Sequence, residues 1–236
     1  MFRRISQLLV AFAFLSVLAV PFPAAADNGL TSKVVTPDAV IAGRTYGEWS
    51  AAWWQWALSI PVSSHPLFDK GSCTTGQTGQ VFFLGGKFCR TGDTTCNAST
   101  ANRSCTVPRG KSLFFPIVNS VNSPPPPDTI NNFRIAVQGV IDGTTKLEVD
   151  LDGQSLKDLS AFRIQSSVFI FTLPDDNLFT ASGQPEPAGT YFPAVDDGVY
   201  IMLKPLAPGP HLLHFTGSFP AFSFSFDITY KLKVEP

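Results

Sequence analysis

Charge is scarce in this chain. Asp, Glu, Lys and Arg make up 15% of the 236 residues, with 17 basic against 18 acidic side chains. There is no basic tail or basic helix, so the footprint of non-specific nucleic-acid binding is missing. A cluster that would hold the chain on an anionic membrane surface is missing too. No C-x-x-C pair occurs among the four cysteines, and their spacings of 16, 7 and 9 residues fit no common zinc pattern. No G-x-S-x-G elbow, phosphate loop or dinucleotide fingerprint appears, and nothing in the chain calls for a cofactor. The apolar run from Leu8 to Val20 is shorter than the ~20 residues that span a bilayer, and Pro21 and Pro23 follow it. Aromatic residues, by contrast, reach 12%, which argues against disorder.

What is present begins with an export signal. Arg3 and Arg4 precede the apolar run, and Ala24-Ala25-Ala26 supplies small residues at a cleavage site. This pattern predicts a secretory signal peptide cleaved after Ala26. No cysteine stands there to take a lipid anchor. Loss of Arg3 and Arg4 moves the net charge from −1 to −3. Residues 27–236 remain, enough for one domain with a sizeable core, secreted or periplasmic and without membrane insertion. An even number of cysteines behind a signal peptide implies disulfides. Nested bridges, Cys73–Cys105 around Cys89–Cys96, are favoured, with two other pairings open. The chain-entropy formula gives upper values of ~3.7 and ~2.5 kcal/mol for those two loops.

All four tryptophans fall in "RTYGEWSAAWWQWALSIP", Arg44 to Pro61. Thr45 and Glu48 stand as T-x-x-E, a capping box that opens a helix, and Pro61 closes it. At helical spacing Tyr46, Trp49, Trp53, Trp56 and Ile60 share one side, Trp54 and Leu58 lie off it, and Glu48, Gln55 and Ser59 form a narrow polar line. A second helix is expected over Thr129 to Ile141. Between them, "SPPPPDT" (Ser123 to Thr129) reads as an extended surface connection.

The remainder reads as strands. "FSFSFDITYKLKV" alternates apolar and polar residues, as a strand with one face on a core does. "VFIFTL" and "VYIMLK" are apolar on both faces, as central strands are. Asp152-Gly153 and Asp197-Gly198 read as turns. At least seven short strands with turn signals predict a mainly β fold, an antiparallel two-sheet sandwich of jelly-roll type. The tryptophan helix would cover an open edge or end of it.

Candidate chemistry is thin. His211 and His214 in "HLLH" lie three apart, so in a strand they point to opposite faces and cannot grip one metal ion. His65 in "SSHPLFD" is the best candidate base, with Asp69 as partner, and Glu48 is a third weak catalytic candidate. The acid pairs Asp150/Asp152, Asp175/Asp176 and Asp196/Asp197 have nothing that places them across a cleft. Asn97 and Asn102 head glycosylation sequons. Trp53, with Trp49 and Trp56, is expected in the core. Trp54, if exposed beside Gln55, would offer an aromatic face suited to sugars.

The tryptophan segment, "GQTGQVFFLGG", "RSCTVPRGKSLFFPIVN" and "DGVYIMLKPLAPGPHLLHFTG" through "FDITYKLKV" together resemble a family of secreted bacterial proteins. That family shares a GEWxAxWWQW helix motif and a C-terminal PGxHxLxFxG…DxTYxLxV β region, and carries no assigned activity. The resemblance implies Cys73–Cys105 as the main bridge and Cys89–Cys96 as an added local one. It also directs attention to Glu48, Gln55 and Asn119. Three functions compete: an exported protein binding a small molecule, glycan or cell-envelope component through Trp54, Gln55 and Asn119; a hydrolase using His65 and a loop carboxylate; and a structural or interaction protein of the envelope.

Overall fold

A computed structural model describes residues 29–123 and 129–236. The expected signal peptide and most of the Pro-rich connection lie outside the described residues. Four α-helices are described: α1 (Leu30–Lys33), α2 (Tyr46–Ser59), α3 (Ile130–Asp142) and α4 (Leu178–Ala181). The strands are β1 (Val81–Phe83), β2 (Thr100–Val107), β3 (Ser112–Asn122), β4 (Thr145–Leu151), β5 (Gln154–Ser155), β6 (Arg163–Gln165), β7 (Phe169–Leu173), β8 (Gly189–Leu203), β9 (Gly209–Phe219) and β10 (Phe224–Val234).

They form two sheets. One runs β1-β3-β8-β6, with β7 also on β8, and the other runs β2-β10-β9-β4-β5. The chain is mainly β, with two facing sheets as expected. The sheets are mixed, however, because β1 pairs parallel with β3, and β2 pairs parallel with β10. The connection explains the first pair. Between β1 and β3 the chain crosses to the other sheet and lays down β2, the kind of long crossover that parallel neighbours require. The second pair joins β2 to the final strand of the chain. The bridges are Cys73–Cys105 and Cys89–Cys96, the first tying the loop before β1 to β2. Two disulfides belong to an oxidising compartment. No helix among the described residues is long and apolar enough to cross a membrane.

The inter-sheet core holds Phe115, Ile201, Phe215, Ile228 and Leu232, with the Phe115 and Phe215 rings stacked 5.0 Å apart. A second core forms on the opposite face of the β8 sheet. There α2 lays Tyr46, Trp53, Trp56 and Leu58 against Phe114, Phe171, Tyr200 and Met202. The helix therefore covers a sheet face, not an edge or end. A face offers a broad apolar surface to several large rings at once. This third layer explains "VYIMLK": these β8 residues are buried on both sides up to Leu203. "VFIFTL" differs. In β7, Phe169, Phe171 and Leu173 are buried but Ile170 is 49% exposed, since among the described residues β7 pairs only with β8 and α2 covers just one of its faces.

The Thr45 capping box forms in full. Glu48 N–H donates to Thr45 Oγ1 at 3.3 Å, and Thr45 N–H donates to Glu48 Oε2 at 2.7 Å. The Thr45 N–H and the Thr45 hydroxyl, which also donates to Glu48 Oε2 at 2.9 Å, lower the Glu48 pKa. Thr129 caps α3 in the same sense through Asn132 N–H. Thr45→Ala is expected to lower the unfolding free energy by about 1 kcal/mol, read from a urea denaturation midpoint at unchanged slope. No change would mean that packing alone holds the first turn.

Candidate functional site

The Asp196-Asp197-Gly198 segment is not a turn. It lies inside β8, and both carboxylates are 0% exposed. The glycine is required by strand packing: a Cβ there would sit 2.7 Å from the Tyr200 ring and from the Val118 carbonyl oxygen. Strand alternation then sends the two acids to opposite faces. Asp197 meets the Arg163 guanidinium twice, at 2.9 and 3.0 Å, and accepts from Gln165 at 3.2 Å. Arg163 also reaches Asp142 at 2.6 Å, and these carboxylates raise its pKa further. Charge there is compensated and holds α3 against the sheet.

Asp196 faces the helix layer. Its carboxylate accepts from Ser50 Oγ at 2.9 Å and from the Tyr200 hydroxyl at 2.5 Å. Its backbone N–H donates to Ser166 Oγ at 2.8 Å. No cation meets this carboxylate among the described residues. Burial pushes its pKa up to about 6, against the pull of the Tyr200, Ser50 and Ser166 hydroxyls. Burial likewise drives the Tyr200 phenol well above its ordinary value. Beyond Tyr200 stands Asn119, whose Nδ2 donates to the phenol oxygen at 3.2 Å.

A bulge in β3 aims Asn119 this way. Pro116 pairs with Tyr200 and Val118 with Val199, so Ile117 is an extra residue. Before it, odd-numbered Phe115 faces the inter-sheet core. After it the parity flips: Val118 takes that face and Asn119 turns to the helix side. Bulges commonly redirect a side chain in this manner.

Beyond its pairing with β1, which ends at Phe114, this part of β3 borders a cleft. Its cavity volume is about 150 Å³, lined by Trp53, Phe88, Phe219, Phe224, Phe226 and Asn119, with Ile117 and Val118 along β3. Trp53 comes from α2 and its indole N–H donates to Leu84 O at 2.7 Å. Phe219, Phe224 and Phe226 come from the adjoining ends of β9 and β10, their rings 6.1–6.5 Å apart. Phe222 lies beside them, 63% exposed. Lys87 also lines the cleft, but its ammonium is held by Asp69 at 2.9 Å. Asp69 in turn accepts from Arg103 at 2.6 Å, and Arg103 donates to the Gly86 carbonyl at 2.8 Å.

The residues singled out from sequence are dispersed. Trp54 is 6% exposed, so its ring is no surface platform. It packs edge-on against Trp53 at 5.1 Å, and its buried indole N–H faces the Tyr200 hydroxyl, tempering that group's raised pKa, while meeting no strict hydrogen-bonding geometry among the described residues. A helix laid on a sheet face and covered by loops has no apolar side left for solvent. Gln55 and Glu48 share a shallow groove with Ile170 and Phe192, where the Gln55 amide donates to Ile170 O at 2.8 Å. Neither lines the Asn119 cleft.

His65 is not placed as a base. Its Nε2 bonds Ala57 O at 2.8 Å and its Nδ1 accepts from Leu67 N–H at 3.0 Å. The ring is fully enclosed, and burial lowers its pKa to about 4. Asp69 is engaged by Arg103 and Lys87 instead. His211 bonds Asp152 at 2.8 Å and His214 bonds Asp227 at 3.0 Å. They use different neighbours, and no group of metal-ligating side chains occurs among the described residues. The Asp196–Tyr200–Asn119 run was hidden because its members lie up to 81 residues apart. The one available signal was a pair of acids inside an otherwise apolar strand.

No family model matches the chain, and no curated protein is found to match it. One solved structure, titled "Structure of PbICP-C in complex with falcipain-2", aligns with 66% of this chain and 100% of its own, at 9% identity and a TM-score of 0.25. A likeness at that level carries no argument.

Proposed function

We propose that the protein is an exported ligand-binding module whose ligand enters the cleft between Trp53 and the Phe219–Phe226 wall. The observation that supports this reading is the cleft's construction. Aromatic rings from α2, the β1–β2 connection, β9 and β10 converge on one hollow, and a bulge in β3 brings a polar side chain to its border. Ligand sites are typically apolar hollows with few polar groups that fix orientation. Of the aromatic residues near the open end, Phe219 packs against the inter-sheet core, while Phe222 and Phe224 stand outside it. The hydrolase reading loses its base, since both nitrogens of His65 are committed to backbone. The sugar platform at Trp54 is replaced by the cleft.

A ligand-observed NMR fragment screen on the mature, oxidised protein tests this. Hits are expected to perturb the side-chain resonances of Phe219, Phe224 and Asn119, and Phe224→Ala is expected to weaken them about tenfold or more while the fold persists. If hits perturb residues elsewhere and spare these three, the proposal is wrong.

A further inference from the structure

We infer that the cleft takes a single aromatic ring bearing a hydrogen-bond donor, a phenol-like group. The inference rests on the cleft being the ligand site and adds the chemical class.

Size is the first argument. The cavity measures about 150 Å³. An engineered apolar protein cavity of about 150 Å³ stays dry and binds benzene. One six-membered ring therefore fits inside, and a disaccharide would extend beyond it. The walls are the second argument. Trp53, Phe88, Phe219, Phe224 and Phe226 provide ring faces and edges, which offset-stacked and edge-on aromatic contacts favour. A monosaccharide has the right size but carries several hydroxyls, each needing a partner once enclosed. The cleft supplies few: the Lys87 ammonium is drawn to Asp69, the Gly86 carbonyl already accepts from Arg103, and most of the lining is aromatic or aliphatic.

The hydrogen-bond run from Asp196 through Tyr200 to Asn119 sets the polarity of the ligand's polar group. Tyr200 has one hydroxyl proton, and it goes to the Asp196 carboxylate. The phenol oxygen can then only accept, so Asn119 must turn its Nδ2 toward it. That orientation commits one of the two amide N–H groups to Tyr200 and turns the carbonyl oxygen the other way. The Asn119 carbonyl oxygen accepts no hydrogen bond among the described residues and is not sealed from solvent. What Asn119 turns away from Tyr200 is an acceptor, and its complement is an O–H or N–H on the ligand. The buried carboxylate thus fixes, through two hydrogen bonds, which end of an amide faces the cleft.

The test titrates phenol, anisole and methyl glucoside separately into the labelled mature protein, followed by NMR shifts at Phe219, Phe224 and the Asn119 side-chain amide. Phenol and anisole share a ring, but anisole has no donor. Phenol is expected to bind several-fold to about tenfold more tightly than anisole, the range set by one neutral hydrogen bond. In Asn119→Ala the ratio is expected to fall to near one, while both rings still shift the phenylalanines. Should that variant fail to fold, the phenol-to-anisole ratio in the unaltered protein decides alone. Equal affinities of both rings in the cleft would overturn the donor requirement and leave the cleft reading intact. Binding of the glucoside in preference to phenol would overturn the ring class. If none of the three moves the cleft resonances, this inference is overturned; if the fragment screen also spares them, the ligand-site reading falls with it.

Discussion

Trp53→Ala is expected to lower the unfolding free energy by about 3–5 kcal/mol, the largest loss from any single tryptophan in the helix. Trp53 is 1% exposed, the most enclosed of the four. It contacts Trp54 and Trp56 edge-on at 5.1 and 5.9 Å, so truncation unpacks two neighbouring rings as well. It also deletes the N–H that satisfies Leu84 O, leaving a buried carbonyl without its partner. Gly85 cannot fill the space: it is glycine because a Cβ there would lie 2.8 Å from the indole. The comparison that isolates this effect is Trp49→Ala, whose ring sits nearer the helix edge and bonds Ile41 O. Urea unfolding of both variants gives the answer. If Trp49→Ala proves as costly as Trp53→Ala, the helix is anchored along its length and not at its centre.

Two buried titratable groups are expected to impose opposite pH dependences that nearly cancel. Asp196 has its folded pKa raised to about 6 from an ordinary 3.8. Between those values the folded protein holds a proton that the unfolded chain has released. Stability therefore falls as pH rises through this window, by on the order of 3 kcal/mol. His65 has its folded pKa lowered to about 4 from an ordinary 6.5. There the unfolded chain holds the extra proton, so stability rises across the window by on the order of 3 kcal/mol. Asp69, Asp152 and Asp176 have lowered values. Their contributions are lost only as pH falls below the ordinary carboxylate range, outside this window. The unaltered protein should thus be nearly level between pH 4.5 and 6. Asp196→Asn should expose a stability that climbs with pH, and His65→Gln one that declines. Denaturation midpoints at pH 4.5, 5.5 and 6.5 measure the slopes, whatever each substitution costs overall. Identical slopes in all three proteins would show that neither group titrates as its surroundings dictate.

Much of the fold was legible because it is local. The T-x-x-E box, Pro61 and the spacing of Tyr46, Trp49, Trp53 and Trp56 define α2 almost to the residue. The polar line of Glu48, Gln55 and Ser59 was equally readable, with Gln55 half-buried and bonded to Ile170 O. The long alternation of the C-terminal segment became β10, with Ile228, Tyr230, Leu232 and Val234 buried on one face. The errors came where burial depends on what lies across the chain. "VFIFTL" looks central but is an edge strand, since nothing in six residues says how many neighbours a strand has. Asp197-Gly198 looks like a turn, yet β3 passes so close that only glycine fits.

By itself the sequence determined the helix, its N-terminal cap, the strand periodicity and the expectation of disulfides, because these follow from contacts a few residues apart or from counting; which cysteines pair was left among three schemes until the structure showed it. Only the tertiary structure decided that the helix lies on a sheet face, which encloses Trp54. It also sank two carboxylates into β8 and aimed Asn119 by one extra residue in β3. The physical reason is that a side chain's burial and hydrogen-bond partners are supplied by distant segments: Ser50 meets Asp196 across 146 residues, a separation that no local pattern encodes.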